Sequence, residues 1–112
     1  MYVIIVGPDR GLEVALAALG VDVARVTGAA TAAALESADV ESADLLVLTD
    51  VHEATAVPVA RERRPGLRVV GYSPDALPEF VRGQVDVAVS PAVLDPEVVA
   101  EELAGVGRRR PD

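Results

Sequence analysis

Short apolar runs recur along the chain, and residues with helical spacing stand between them. The most pronounced run is Ala43 to Asp50, in which four apolar residues lie between polar ends. This pattern is typical of a central strand in a parallel sheet that helices cover on both faces. Four further runs are predicted as strands: Tyr2–Val6, Val21–Val26, Leu67–Tyr72 and Val85–Val89.

Helices with start or stop signals are predicted between these strands. Asp9 is expected to cap the first helix, which begins at Arg10 and ends at Gly20. The last is predicted to begin at Pro96 behind an Asp95 cap and to end at Leu103. A second helix is expected from a Thr31 cap to Ser37, and a fourth at 73–81. The third is expected at 56–64 with Thr55 as its cap; Pro58 lies either in its first turn or at a kink.

Five strands in alternation with five helices predict one α/β domain, with no internal repeat and no linker. The expected fold is a three-layer Rossmann-like or flavodoxin-like sandwich around a five-stranded parallel sheet with right-handed crossovers. Two strand orders stay open, 3-2-1-4-5 for the Rossmann interpretation and 2-1-3-4-5 for the flavodoxin-like one. The domain is assigned to residues 1–104, and residues 105–112 are predicted to be a flexible tail.

Composition narrows the classes of function. The chain has 112 residues, a net charge of −8, no cysteine and only arginine as its basic residue. The acidity argues against nucleic acid and membrane as partners, and the lack of cysteine excludes disulfides and thiolate sites. No apolar run reaches the ~20 residues that span a bilayer, so a cytoplasmic protein is expected. Acidity without lysine suggests a salt-loving archaeon, or alternatively a bacterium with GC-rich DNA.

Candidate ligand-binding residues follow the first and third strands, because ligands of open α/β sheets bind at the carboxyl ends of the strands. The predicted cofactor-binding residues are Gly7, Asp9, Arg10, Gly11, Thr49 and Asp50. Only Gly7 matches the G-x-G-x-x-G fingerprint, since Asp9 and Leu12 occupy the other two glycine positions. NAD or another nucleotide is therefore expected to bind weakly at most.

A polar cluster, Asp50, His52 and Glu53, follows the third strand. A metal or acid–base site is one interpretation; the other is that Asp50 caps a turn while its neighbours are solvated. The prediction adopted is that the chain has no catalytic set and no metal site. Arg108, Arg109 and Arg110 are interpreted as a frayed end rather than as a nucleic-acid patch.

Several of these stretches together resemble the NAD-binding domain of TrkA-type regulators of potassium transport. The residues that carry the resemblance are Ala43–Asp50, Glu53–Ala54, Ala60–Glu62, Pro65–Val70 and Val85–Pro91. In that family the segment after the third strand lies beside the nucleotide, and the domains pair into dimers. The resemblance therefore implies a nucleotide site after Asp50 and a homodimer.

The whole chain also resembles small haloarchaeal proteins of unknown function that are sometimes labelled CTP synthetase. The carrying stretches are Val6–Asp9, Leu48–Asp50, Glu53–Thr55, Pro78–Gln84 and Leu94–Pro96. The label implies an enzyme-associated domain. The chemistry of that enzyme family requires a lysine-bearing phosphate loop and a glutaminase cysteine, and this chain has neither lysine nor cysteine.

A response-regulator receiver is the alternative from a different functional class. Asp50 ends the third strand, where a receiver carries its phosphoacceptor, and Ser73 stands at the position of the switch hydroxyl. Ser90 replaces the lysine of the family, and the acidic pair after the first strand is reduced to Asp9. This resemblance implies a degenerate receiver that acts as an interaction module without magnesium-dependent phosphorylation.

The sequence thus favours a small stand-alone regulatory domain that binds a partner or a ligand, and it argues against an enzyme. A homodimer is expected because Val85, Val87, Val89 and Phe80 could form an apolar strip beside an edge strand. The alternative is a monomer in which the last helix covers that strip through Val98, Val99 and Leu103.

Overall fold

In the computed structural model, which describes residues 1–108, five parallel strands form one sheet with helices on both faces. The strands are β1 (Tyr2–Val6), β2 (Asp22–Val26), β3 (Leu45–Leu48), β4 (Arg68–Tyr72) and β5 (Val87–Val89). The helices are α1 (Leu12–Ala17), α2 (Ala32–Ser37), α3 (Ala56–Arg63) and α4 (Pro96–Arg108). The strand order across the sheet is β2-β1-β3-β4-β5.

This architecture confirms the predicted three-layer α/β sandwich with a five-stranded parallel sheet. It also decides the question of strand order that the sequence left open. The observed order, 2-1-3-4-5, is the flavodoxin-like order expected for the receiver alternative. Since β1 and β3 are neighbours, the loops that follow them meet at the carboxyl edge of the sheet.

The core has two halves, one on each face of the sheet. Ile4, Val6, Leu46, Leu48 and Val69 pack on one face against α2 and α3. On the other face Val3, Ile5, Leu45, Val47 and Tyr72 pack against α1 and α4. Successive strand residues point to opposite faces, so all four residues of β3 are buried. The prediction that Ala43 to Asp50 contains a central strand is correct.

Two aspartates at the starts of β3 and β5 make equivalent contacts with the neighbouring strand. The Tyr2 amide donates to Asp44 Oδ2 (2.8 Å), and the Asp44 amide donates back to the Tyr2 carbonyl (2.9 Å). Asp86 repeats this arrangement on Val69, with both distances 2.8 Å. Each aspartate thus provides hydrogen-bond partners for both the amide and the carbonyl of one residue on the neighbouring strand, at the point where regular strand pairing begins. The sequence pattern marked Asp44 only as a polar strand end and Asp86 only as a residue within the predicted fifth strand.

The start of α1 differs from the prediction. Arg10 has a left-handed backbone conformation (φ 52°) and lies outside the helix, which begins at Leu12. Asp9 nevertheless acts as a cap, because its carboxylate accepts hydrogen bonds from the amides of Gly11 (3.0 Å) and Glu13 (2.8 Å). The prediction of Asp9 as the capping residue is correct, but Arg10 and Gly11 form a turn before the helix begins at Leu12.

The other two predicted caps have different outcomes. The Thr31 hydroxyl accepts a hydrogen bond from the Ala34 amide (3.1 Å), as expected. Thr55 makes no side-chain cap, because the chain reaches it already in helical conformation from a 3-10 turn at Val51–Glu53. Pro58 lies in the first turn of α3, where its missing amide costs nothing.

The segment between β4 and β5 contains no α-helix, so the helix predicted at 73–81 is wrong. Pro74 and Pro78 interrupt that stretch, and only a 3-10 turn at Glu79–Gln84 follows. Proline lacks an amide donor and disfavours helical conformation in the residue before it. Val81 is the buried contact of this turn with the core.

The last helix is longer than predicted. α4 continues to Arg108, five residues beyond the expected end at Leu103, so residues 105–108 are helical rather than part of a tail. Its residues Val99, Ala100, Leu103 and Ala104 are buried in the half of the core shared with α1. This packing outweighs the low helix propensity of Gly105. The rest of the predicted tail, including Arg109 and Arg110, lies outside the described residues.

The three valines before and within β5 do not form the single strip that was expected. Val85 packs against the half of the core with α2 and α3, whereas Val89 packs against the other half. Val87 lies between them in sequence and is 54% exposed. Val89 thus packs in the same half of the core as α4, whereas Val87 stays exposed, so the strip is covered only in part.

None of the helices in residues 1–108 is long and apolar enough to cross a membrane.

Tyr72 provides a test of the packing under α4. Its ring is fully buried, and its hydroxyl donates to the Leu94 carbonyl at 2.7 Å. We expect Tyr72→Phe to lower the free energy of unfolding by about 1 kcal/mol, because the carbonyl of Leu94 loses its donor. Urea unfolding followed by circular dichroism measures the change. Val14→Thr, an exposed control at 77% accessibility on α1, should change it by less than about 0.5 kcal/mol.

Alkaline pH gives a second readout of the same residue. Burial raises the pKa of Tyr72, the carboxylates of Asp95 and Glu97 raise it further, and Arg10 opposes them. Because the folded state holds this proton more tightly, stability should fall as pH rises above about 10. No lysine titrates in that range. Burial and Asp39 also raise the pKa of Tyr2, which contributes equally in both proteins, so Tyr72→Phe should remove the Tyr72 part of the fall. An unchanged slope would contradict this assignment.

Candidate functional site

The predicted ligand residues do come together, where the loops after β1 and β3 meet. Thr49, the residue after β3, is fully buried. Its hydroxyl donates to the Pro8 carbonyl (2.6 Å) and also lies 3.1 Å from the Val6 carbonyl. Its amide donates to the Val6 carbonyl at 2.9 Å. Thr49 therefore joins the two loops directly.

Gly7 allows this close approach. A Cβ atom at this position would lie 2.5 Å from Thr49 Oγ1 and 2.8 Å from the Asp50 amide nitrogen. The backbone of Gly7 also has φ 117°, a conformation that side chains oppose. The glycine that matched the dinucleotide fingerprint thus serves to pack one loop on the other.

Asp9 and Gly11 have structural tasks at the start of α1. The Asp9 carboxylate occupies the amides of Gly11 and Glu13. A dinucleotide-binding domain would use amides at this helix end to hold pyrophosphate. Gly11 has φ 81°, and a Cβ there would lie 2.9 Å from the Pro96 ring at the start of α4.

Arg10 is the cation at this edge of the sheet. Its Nε donates to the Thr49 carbonyl at 3.0 Å, so the side chain extends across the end of β3. Its charge is close enough to Tyr72 to lower the pKa of that hydroxyl, against the larger effect of burial. Arg10 therefore connects the loop after β1 to the end of β3.

The polar cluster after β3 has mainly local contacts. Asp50 Oδ1 accepts a hydrogen bond from the His52 amide (2.9 Å) and lies 3.1 Å from its Nδ1. Asp50 therefore caps a turn, as the structural interpretation predicted. The His52 side chain is 86% exposed. Glu53 differs from the expected solvated residue, because its Oε1 accepts from the Ala30 amide at 2.8 Å.

Within residues 1–108, no group of three or more histidine and carboxylate side chains could hold a metal ion.

The hydroxyls at the receiver-like positions also serve local turns. Ser73 Oγ accepts from the Asp75 amide (3.2 Å), and Ser90 Oγ accepts from the Ala92 amide (3.1 Å). Asp50 thus occupies the position of a phosphoacceptor, but serine stands where the phosphate-reading lysine would be. These positions and the strand order match the placement of a receiver site, and its switch hydroxyl and lysine positions hold serines that serve local turns.

An open groove that sequence analysis missed lies beside β5. It has a volume of about 590 Å³ and is lined by the turn at 73–77, Arg82 and residues 85–90. Arg82 Nε donates to the Leu77 carbonyl at 3.2 Å and holds one wall in place. The signal for it was the pair Pro74 and Pro78, which prevents a helix from filling this side of the sheet.

Comparison with known proteins supports the same fold. The model of a family of unknown function (DUF7126) matches residues 3–103. A crystal structure of a proposed pilus assembly protein (CpaE) from Burkholderia thailandensis E264 aligns with a TM-score of 0.64 at 20% identity, covering 97% of this chain and 99% of that one. A proposed pilus assembly-related protein from Burkholderia pseudomallei K96243 aligns with a TM-score of 0.63 at 19% identity, covering 100% and 93%. No curated protein matches significantly.

The contact between Gly7 and Thr49 can be tested by mutation. We expect Gly7→Ala to lower the free energy of unfolding by about 3 kcal/mol, because the new methyl group collides with Thr49 and the backbone is strained. Gly20→Ala is the matched control, since Gly20 also has positive φ (78°) but a Cβ there would have no neighbouring atom within 4 Å. That control should cost about 1 kcal/mol. Equal losses in the two variants would contradict the tight loop contact.

The phosphoacceptor position can be tested directly. Acetyl phosphate with magnesium should leave Asp50 unmodified, because the lysine that would stabilise the phosphoryl group is absent. Intact-mass spectrometry of the treated protein measures this, with an active receiver as the positive control. A mass increase of one phosphoryl group that disappears in Asp50→Asn would show that the chain retains receiver chemistry.

Proposed function

The chain belongs to the DUF7126 family, and we propose that it is a small regulatory domain that acts by binding a protein partner rather than by catalysis. The observation that carries this proposal is the contrast between two parts of the sheet. The carboxyl edge is occupied by internal contacts, whereas the surface along β5 is open and partly apolar.

The contacts at the carboxyl edge count against a ligand as the main partner. Thr49, Asp9 and Asp50 direct their polar groups to backbone atoms of the chain itself. Weak nucleotide binding near Gly7, Arg10 and Gly11 stays a prediction that no observation here favours. A ligand there would have to compete with hydrogen bonds that hold the two loops together.

The edge surface, which we define as Phe80, Val87 and Ala88, is the better candidate. Phe80 is 57% exposed, and Val87 and Ala88 are exposed on the outermost strand. Exposed apolar side chains next to an unpaired strand edge are typical of a binding surface. The chain offers this surface although it has a net charge of −8, which would otherwise favour charged side chains there.

We assign a second copy of the chain as the partner. Between residues 84 and 90 the only charged side chain is Asp86, which pairs with Arg61 at 3.1 Å. Two acidic molecules can therefore approach along β5 with less repulsion than along other faces.

Self-association can be measured by light scattering at concentrations well above micromolar, in dilute buffer and in molar salt. We expect a dimer that strengthens with salt, because salt screens the repulsion between the acidic chains. Val87→Arg should weaken the dimer by about tenfold or more, since it places a charge in the interface. The control is Val14→Arg on α1, where the native valine is 77% exposed and lies away from β5. A monomeric mass in both buffers would overturn the proposal.

A further inference from the structure

We infer that two copies join through β5 itself, with the two strands antiparallel and Ala88 opposite Ala88 of the second copy. This inference rests on the proposed self-association and adds its geometry. The product would be one continuous sheet of ten strands about a two-fold axis.

The backbone at the free edge supports this register. The Ser73 amide donates to the Val89 carbonyl (3.4 Å), so Val89 directs its backbone groups toward β4. Alternate residues of a parallel strand direct these groups to opposite sides. Within the paired segment Val87–Val89, Ala88 therefore directs its amide and carbonyl outward, away from the sheet. Asp86 precedes this segment and does not follow the alternation, because its amide donates to the Val69 carbonyl at 2.8 Å. An antiparallel second copy satisfies both groups with the same two groups of its own Ala88.

The side chains are compatible with the same arrangement. Val87 and Val89 pair with Val70 and Tyr72, so they lie on the α1 and α4 side of the sheet. With Ala88 at the two-fold axis, Val87 of one copy meets Val89 of the other and becomes covered. Asp86 meets Ser90 of the second copy, so no charge faces a like charge.

Charges around the groove are complementary under the same symmetry. Arg82 belongs to the turn that leads into β5, and Asp75 belongs to the turn that leaves β4. These turns lie toward opposite ends of the groove, because β4 and β5 are parallel. A two-fold axis through Ala88 exchanges the ends, so it brings Arg82 of one copy toward Asp75 of the other. Both residues are exposed.

The sequence also limits how far the proposed antiparallel pairing can extend. β5 is only three residues long, and Pro91 follows closely, without an amide donor for a further hydrogen bond. A pairing centred on Ala88 uses residues 87–89, because the Asp86 amide is held by the Val69 carbonyl (2.8 Å), and it stops before this proline. The short strand limits pairing to one partner in one register, which favours a closed dimer over open association.

Cysteine cross-linking tests the register, because the native chain has no cysteine. Cα atoms of a hydrogen-bonded antiparallel pair lie about 5.5 Å apart, within the range of a disulfide. We expect Ala88→Cys in oxidised glutathione to form a covalent dimer at least about tenfold faster than Ala92→Cys, an exposed control on the following turn. Light scattering on the reduced proteins shows whether each variant still dimerises.

Charge reversal provides an independent test. Arg82→Asp and Asp75→Arg should each weaken the dimer several-fold, and the double variant should restore it. A dimer by scattering whose Ala88→Cys variant reacts no faster than the control would overturn the β5 pairing and leave the proposed self-association in place. A double variant no better than the singles would also overturn the two-fold arrangement. A monomer under all conditions would overturn both proposals and assign the edge to a different partner.

Discussion

Burial of the central strands on both faces is the constraint on which the rest of this structure depends. Every residue of β3 is buried, and the last four residues of β1 are fully buried beside it. A strand covered on both sides needs helices on both sides, and parallel neighbours need crossovers that deliver them. The short helices of this chain fill that role, although α1 and α2 have only six residues each. Their stability comes from the apolar contacts they make with the sheet.

The same packing explains why the loops at the carboxyl edge of the sheet are bound to each other. β1 and β3 lie side by side, so the loops that follow them are forced into contact. In this chain Gly7, Thr49 and Arg10 turn that contact into a set of internal hydrogen bonds. Folds of this class often keep a crevice there for ligands. In this chain the polar side chains that could line such a crevice instead form hydrogen bonds that hold the two loops together.

The opposite situation holds at β5, where the sheet ends without cover. Two prolines prevent an α-helix between β4 and β5, so that side of the edge has only a turn and an open groove. α4 packs on Tyr72 and α1 and leaves Val87 exposed. The internal contacts at the carboxyl edge, together with the open strand edge, are the physical basis of the proposed function.

The sequence by itself determined the fold class. Each segment shows in its own pattern of apolar residues whether it is a buried strand or a helix with one buried face, and the alternation of the two indicates an α/β sheet protein. It also identified Asp9 and Thr31 as capping residues, since a cap depends on neighbours a few positions away. Only the tertiary structure decided the strand order, the use of Gly7 against Thr49, and the pairing of Asp44 and Asp86 with neighbouring strands. These contacts join residues as far as 42 positions apart, and no local pattern encodes which distant segment will be the neighbour. The alternation of Val85, Val87 and Val89 likewise predicted a single apolar strip, because a local pattern does not show which neighbours each residue meets. In the structure Val85 and Val89 pack in different halves of the core, and Val87 is exposed.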